Sequence, residues 1–301
     1  MIHPSCQKEK EEALMQLWNE MEFHPDESTL ASYRRLQKNI GSEKRDATRF
    51  FSLRRWSQIA AILLVPLLLT GITLLYQNLQ QQPVEMVEVF VPKGEQRKIT
   101  LPDGSVAFIN AGSLLVYPDY FGKHERSIYL MGEANFEVTK DQAHPFIVKT
   151  NHLQVKVLGT KFNVHAYPED HKTVTTLENG AVVVQKPDKQ ELVQLSPDEQ
   201  LEYNHATGSF TKKKINASLY AGWTKGQLNF VAMTLKDIFA SIERVYNIHV
   251  IVPPHLNTHD LYTIKFEEKM PLKEVMNILT KTIDGIQYTI EDENIILIKS
   301  H

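Results

Sequence analysis

The chain has 301 residues but a single cysteine, Cys6, so it can form no internal disulfide. A small scaffold held together by disulfides is therefore excluded, whereas a chain of this length can bury sizeable hydrophobic cores. An excess of basic charge is also absent, because the net charge is −3 at pH 7. A general nucleic-acid binder usually has a basic surface, so no direct nucleic-acid partner is expected.

Signatures of catalysis and of metal binding are missing as well. The chain has no G-x-S-x-G segment and no nucleophile–base signature, and none of its 12 histidines belongs to an H-E-x-x-H motif. We interpret four neighbouring histidines as surface or loop residues: His144, His152, His165 and His171. The sequence thus predicts no enzyme, no catalytic residue, no metal and no cofactor.

Charge is absent from one long apolar segment, Ile59 to Tyr76. As a helix this segment would be about 27 Å long, close to the roughly 30 Å hydrocarbon core of a bilayer. A signal peptide would begin near residue 1, and a buried core helix would be shorter and would show a polar face. The segment therefore predicts one transmembrane helix, assigned to residues 58–77, with Pro66 and Gly71 weakening its middle.

The flanking charges predict how this helix is oriented. Arg54 and Arg55 precede it directly, whereas no Lys or Arg follows it before Lys93. The positive-inside rule then places the N-terminus in the cytoplasm and the C-terminus in the periplasm. We expect a single-pass protein of the cytoplasmic (inner) membrane.

The cytoplasmic segment, residues 1–57, is predicted to contain two amphipathic helices. Residues 1–33 contain two basic and seven acidic side chains, whereas residues 34–57 contain eight basic and two acidic side chains. The basic half would be drawn to anionic headgroups, and the acidic half is free to meet a basic partner. The helices could instead pack on each other and only tether the protein. So small a pair leaves apolar surface unburied, which favours partner binding.

The outer part is predicted to be an all-β domain over residues 87–222, after a linker at 78–86. Regular strands without intervening helices indicate a sandwich or barrel. The predicted strands are 96–101, 105–110, 127–130, 134–139, 146–150, 153–158, 161–167, 173–177, 181–185, 192–195 and 200–203. The turn Pro102-Asp103-Gly104 joins the first two of them as a hairpin.

Residues 223–301 are predicted to form an α/β domain of two strand–helix–strand units. The segments Met233 to Ile238 and Met270 to Val275 are similar, which suggests a weak internal duplication, although shared amphipathic patterning would explain it equally. The last two strands, 286–290 and 295–298, are expected to form a hairpin. The fold class is therefore α+β, in a single-pass membrane protein.

Residues 87–185 resemble the FecR family of anti-sigma factors in six motifs that occur in the family's order. These motifs are Val91 to Glu95, Leu101 to Ser105, Asn110 to Ser113, Gly132 to Val138, His144 to Val148 and Val157 to Val164. The segment Trp223 to Val250 resembles the C-terminal domain of FecR-type proteins from Bacteroidetes. That domain is similar in pattern to the short signalling domain of secretins and TonB-dependent transducers.

The resemblance implies a signal relay across the cytoplasmic membrane. An outer-membrane TonB-dependent transducer would present its periplasmic signalling domain to the outer part, and the inner helices would bind an extracytoplasmic-function sigma factor. The candidate sigma-factor-binding residues are Leu14, Leu17, Trp18, Met21, Leu30 and Tyr33. The alternative is a membrane-anchored envelope protein with a structural or glycan-binding role.

Two further sites are expected in the outer part. The transducer would dock on a free sheet edge formed by Ile295, Ile296, Leu297 and Ile298. The resemblance also implies possible self-cleavage at Gly159-Thr160, followed by envelope and intramembrane proteases. A tight turn is the alternative role of this pair.

Overall fold

The computed structural model describes residues 10–17, 27–40, 62–75, 84–254, 256, 259–266, 270–292 and 294–300. The chain divides into two units, Met1–Gln82 and Pro83–His301. In the first unit, α1 (10–17), α2 (Glu27–Ile40) and α3 (62–75) are helical. Among the described residues, no helix is both long and apolar enough to cross a membrane.

The second unit begins with a β domain of thirteen strands. They are β1 (Met86–Val91), β2 (Arg97–Thr100), β3 (Val106–Ile109), β4 (Ser113–Pro118), β5 (Arg126–Glu137), β6 (Phe146–Lys149), β7 (Gln154–Val157), β8 (Lys161–Ala166), β9 (Lys172–Asn179), β10 (Val182–Gln185), β11 (Glu191–Leu195), β12 (Glu199–Asn204) and β13 (Phe210–Lys214). The predicted hairpin is confirmed, because β2 and β3 pair antiparallel across the Pro102-Asp103-Gly104 turn. The predicted strands do not include β1, β4 or β13, and in β13 three lysines hide any apolar alternation, as is common for edge strands.

The strands of this domain form two sheets, and the long strand β5 takes part in both of them. Its first half pairs with β4 and β6, and its second half pairs with β3 and β8. Gly132 lies where the partners change, with φ of +110°, and a Cβ there would lie 2.7 Å from Ser113 Cα. The sequence predicted two strands separated at this point, because an isolated glycine commonly indicates a break in a strand. The glycine instead permits the close approach of β4 while the strand continues.

Both sheets pack on one hydrophobic core. Leu115, Leu130, Phe136, Phe146 and Phe162 are among its fully buried side chains. The rings of Phe136 and Phe162 stack with centroids 5.4 Å apart. Each aromatic side chain removes a large apolar area from water, so this core can stabilise the domain without a disulfide.

A short helix, α4 (Ala217–Tyr220), and a 3₁₀ turn (Gly222–Lys225) lead into the C-terminal module. The module consists of β14 (Leu228–Thr234), α5 (Leu235–Tyr246), β15 (His249–Ile251), β16 (Leu261–Phe266), α6 (Leu272–Thr282), β17 (Ile286–Asp292) and β18 (Ile295–Ser300). Two strand–helix–strand units are present as predicted, and the β17–β18 hairpin is confirmed. Thr234 caps α5 by accepting a hydrogen bond from the Asp237 N–H at 3.2 Å.

The module has its own core, in which both helices bury their apolar faces. Ile238, Ile242, Val275 and Leu279 are completely buried there. The mixed α+β fold with a large β domain is thus confirmed. Both hydrophobic cores lie entirely within Pro83–His301, so this part of the chain contains what it needs to fold on its own.

Candidate functional site

The predicted sigma-factor-binding side chains that the structure describes are exposed. They are Leu14 and Leu17 of α1, and Leu30 and Tyr33 of α2. Trp18 and Met21 lie outside the described residues. Exposed apolar side chains on two helices offer a surface that a protein partner can cover.

Gly159 and Thr160 lie in a bend just before β8. Gly159 has a φ of +148°, and a Cβ there would lie 2.6 Å from Lys140 Cα, so glycine is required. Thr160 is buried, and its Oγ1 donates a hydrogen bond to the Ala181 carbonyl at 3.0 Å. Among the described residues, no side chain accepts a proton from this hydroxyl as a base would. The geometry fits a tight bend, and cleavage stays a prediction.

The four predicted docking residues, Ile295 to Ile298, do not form a free edge, so that expectation is wrong. Their strand, β18, is central: it pairs in parallel with β15 and antiparallel with β17. The hairpin pattern revealed only the second pairing, because the parallel partner comes from much earlier in the chain. In the described residues, the free edges of this sheet belong to β15 and β17.

Sequence reasoning missed a polar cluster where the C-terminal module meets the β domain. Its centre is Arg244 of α5, which is 5% exposed. Arg244 Nη1 donates to Asp170 Oδ1 at 3.1 Å and to Glu169 Oε1 at 3.2 Å, and Nη2 donates to Asp170 Oδ2 at 3.3 Å. The guanidinium carbon lies 4.0 Å from the centroid of the Tyr167 ring. The Arg244 carbonyl also accepts the Gly94 N–H at 2.8 Å, so α5 is bound to two segments of the β domain.

Behind Arg244, an imidazole lies between two carboxylates. His165 Nε2 lies 2.7 Å from Asp170 Oδ2, and its Nδ1 lies 3.5 Å from Glu133 Oε2. Glu133 also accepts hydrogen bonds from the amides of Asn110 and Asn163, each at 2.8 Å. We call Glu133, His165, Tyr167, Asp170 and Arg244 the junction cluster.

The pKa values in the junction cluster favour the charged forms. Burial opposes a charge on His165, but the hydrogen bonds and charges of Asp170 and Glu133 outweigh it and raise its pKa to about 9. Burial acts against the Asp170 carboxylate too, but His165 and Arg244 lower its pKa to about 2. The pKa of Glu133 is also lowered, because His165, Asn163 and Asn110 outweigh burial. Near neutral pH, two carboxylates face an imidazolium and a guanidinium, and their charges cancel.

The interpretation of His165 as a surface or loop residue is therefore wrong. It lies in β8, and its side chain is 22% exposed. The alternation Lys161-Phe-Asn-Val-His165 is the signal that could have placed it on one face with Asn163. No sequence pattern could place Arg244 beside it, because that contact joins two separate domains.

Two cavities of about 220 Å³ each open beside the junction cluster. Glu133, His165 and Arg244 line both of them. The Trp223 indole N–H, in the wall of the first cavity, donates to Asn163 Oδ1 at 3.2 Å. Within the described part of the chain, no group of three or more His, Cys, Asp and Glu side chains is arranged to hold a metal ion.

We predict that His165→Gln destabilises Pro83–His301 in a pH-dependent manner. Because the folded state raises the pKa of His165 from 6.5 to about 9, its charge contributes its full stabilisation below pH 6.5. That stabilisation is lost as the pH rises through 9. Urea unfolding across this range should show the difference from the wild type shrinking with increasing pH.

The control for this experiment is His124→Gln, at an exposed histidine outside the junction cluster. It should change the free energy of unfolding little at any pH. A stability loss in His165→Gln that is the same at pH 6 and pH 9 would contradict the paired imidazolium.

Comparisons with known proteins agree with this architecture. The family model described as FecR protein matches residues 88–183, and the model described as FecR, C-terminal matches residues 227–297. Two crystal structures of a candidate anti-sigma factor from Parabacteroides distasonis ATCC 8503, at 2.50 and 1.65 Å resolution, are each 33% identical to this chain. The match to the 2.50 Å structure covers 72% of this chain and 100% of the other chain, with a TM-score of 0.68. The match to the 1.65 Å structure covers 71% of this chain and 99% of the other chain, with a TM-score of 0.67. No curated protein matches. The resemblance found in the sequence is confirmed: the chain belongs to the FecR family of anti-sigma factors.

Proposed function

We propose that this anti-sigma factor relays a signal from a TonB-dependent outer-membrane transducer to an extracytoplasmic-function sigma factor. Family membership is the observation that carries the proposal, because it implies a sigma-factor partner. The chain supplies one part for each step. Exposed helices would meet the sigma factor, an apolar segment would cross the membrane, and two outer domains would receive the transducer.

The proposed topology is a single pass with the N-terminus in the cytoplasm and the C-terminus in the periplasm. The uncharged segment from Ile59 to Tyr76 and the positive charge before it support this arrangement. Residues 59–61 and Tyr76 lie outside the described residues.

Protease digestion of spheroplasts tests this topology with a different epitope tag at each end of the chain. The C-terminal tag should be lost in intact spheroplasts, and the N-terminal tag should survive until detergent is added. Loss of the N-terminal tag without detergent would reject the proposed orientation.

Sigma-factor binding is proposed for the exposed apolar faces of α1 and α2. Leu17→Ala should weaken capture of the sigma factor about thirtyfold, because truncating an interface anchor commonly costs about 2 kcal/mol. Gln16→Ala is the matched control, since Gln16 is the preceding exposed residue of the same helix. Alanine preserves the helix in both variants. Equal capture by both variants and the wild type would remove Leu17 from the interface.

Transducer docking is proposed for the free edge of β17, the longer of the two free edges in the described sheet. A partner strand added there would gain main-chain hydrogen bonds along seven residues. Ile290, at this edge, is 45% exposed and can contact the added strand.

Ile290→Asp should therefore weaken binding of the transducer's purified periplasmic signalling domain to Pro83–His301 by about tenfold, or 1.4 kcal/mol. Leu261→Asp is the control, because Leu261 is 66% exposed but lies on β16 in the other sheet. An equal loss in both variants would indicate a general charge effect and would argue against the β17 edge.

Self-cleavage at Gly159-Thr160 is proposed as the step that makes the relay irreversible. Thr160 Oγ1 would attack the Gly159 carbonyl carbon, so the amide becomes an ester and the Thr160 nitrogen becomes a free amine. Water would then hydrolyse the ester. The hydroxyl must first leave its hydrogen bond to Ala181. Pairing of β8 with β5 and β9 would hold the two pieces together until envelope and intramembrane proteases act.

An immunoblot against the C-terminus tests this step in cells exposed to the inducing ligand. The wild type and Thr160→Ser should yield a fragment that begins at residue 160, and Thr160→Ala should not, because only the hydroxyl is essential. Full-length protein alone in the wild type would leave the pair as a bend with no cleavage role.

A further inference from the structure

The first cavity beside the junction cluster has walls from both outer domains. Gln96, Asn110 and Tyr167 come from the β domain, whereas Gln227 and Ser241 come from the segments that follow it. At about 220 Å³ it lies below the roughly 300–1,000 Å³ typical of drug-sized ligands. A pocket of this size at a domain interface suits one small molecule, about as large as a monosaccharide.

The charged groups that this cavity shares with the junction cluster are already paired. Glu133 is bound by His165 and by two asparagine amides, and Arg244 is bound by Asp170 and Glu169. Neither side chain is available to balance a charge on a ligand. An anionic ligand would therefore lose its hydration without gaining a partner in this wall, and a cationic ligand would find only the exposed carboxylate of Glu95 at the rim, where water screens the charge.

Neutral polar groups of the wall are available instead. Among the described residues, none hydrogen-bonds to the side-chain amide of Gln227 or to the Ser241 hydroxyl, and both side chains are half-buried. Asn229 donates to the Leu219 carbonyl at 3.1 Å, and no residue in the described part of the chain donates to its side-chain oxygen. At the rim, the exposed carboxylate of Glu95 can accept hydrogen bonds from hydroxyl groups.

The backbone holds two of these amides in place. A Cβ on Gly222 would lie 2.5 Å from Asn229 Nδ2 and 2.6 Å from Gln227 Oε1, so the amides pack directly against the glycine. Such preorganisation lowers the entropy that a ligand must overcome on binding.

Aromatic faces complete the wall. Tyr220, Trp223 and Tyr246 line the cavity and are all half-buried. Flat apolar faces beside amides and a hydroxyl match a molecule that has both C–H faces and hydroxyl groups. We propose that this cavity is a binding site for a neutral saccharide of monosaccharide size, held by Gln227, Asn229 and Ser241 against Trp223.

A ligand at this site would act on the protein directly, because it would bridge the two outer domains. Binding would stabilise the packing of α5 on the β domain by mass action. The proposal is independent of sigma-factor binding, since the cavity lies entirely within Pro83–His301.

Trp223 provides a direct measurement. The three tryptophans of the chain are Trp18, Trp56 and Trp223, so the fragment Pro83–His301 contains Trp223 alone. Its fluorescence is titrated with glucose, galactose and N-acetylglucosamine, and then with glucuronate and glucosamine as charged counterparts. At least one neutral sugar should cause a saturable change, and it should bind more tightly than either charged sugar.

Variants locate the binding. Gln227→Met keeps the length of the side chain but removes its amide, and it should raise Kd about fivefold, the factor expected for one lost hydrogen bond of about 1 kcal/mol. Gln190→Met is the matched control at an exposed glutamine outside the cavity, and it should leave Kd unchanged.

Three results would overturn the proposal. One is the lack of a saturable change with every neutral sugar, and another is tighter binding of a charged sugar. The third is equal affinity in Gln227→Met and Gln190→Met, which would place the sugar elsewhere. Sigma-factor capture by the full chain does not enter any of these measurements, so a failure here leaves the relay unaffected.

Discussion

The buried contact of Arg244 with Asp170 and Tyr167 is the interaction on which the arrangement of the outer domains depends. Removing a charge from water costs several kcal/mol, so an arginine that is 5% exposed is tolerated only where its partners are close and correctly oriented. The Arg244 guanidinium has such partners, since it contacts two carboxylates and stacks on an aromatic ring. A shift of α5 along the β domain would leave these charges buried without partners. The contact therefore selects one orientation of the C-terminal module.

The junction cluster extends this constraint into the β domain. His165 is the last but one residue of β8, and the same strand begins next to Thr160. One short strand thus connects the contact with the C-terminal module to the proposed cleavage site. The connection is a direct physical path, because β8 pairs with β5 and β9 along its length. A partner that moves the module would act on this strand through Asp170 and His165.

The proposed sugar site and the proposed docking edge lie on different parts of the C-terminal module. On the side of the module, the cavity is formed by α5, β14 and the segment before β14, whereas the β17 edge belongs to the three-stranded sheet. The module can therefore contact a partner strand with a surface that is separate from the one that faces the β domain and the ligand. Its two-layer arrangement of helices and sheets provides these surfaces, because each helix buries one face in the core and leaves the other available.

Local pattern was sufficient for much of the fold. Alternating apolar residues located most strands, and the Pro102-Asp103-Gly104 turn located a hairpin. Prediction missed β1, β4 and β13, although only β13 has a weak apolar pattern, and it interpreted Gly132 as a break in what is one strand. These signals depend on neighbours in the chain, which is why composition and spacing can reveal them.

By itself, the sequence determined the membership of the family, the α+β class and the exposed apolar faces of the N-terminal helices. Tertiary structure alone decided that β18 is a central strand, that His165 lies between two carboxylates, and that Arg244 closes the junction. Each of these depends on contacts between residues far apart in the chain. Such contacts arise only when separate elements pack together and bury charges that must find partners, and no local pattern in the sequence records which partners meet.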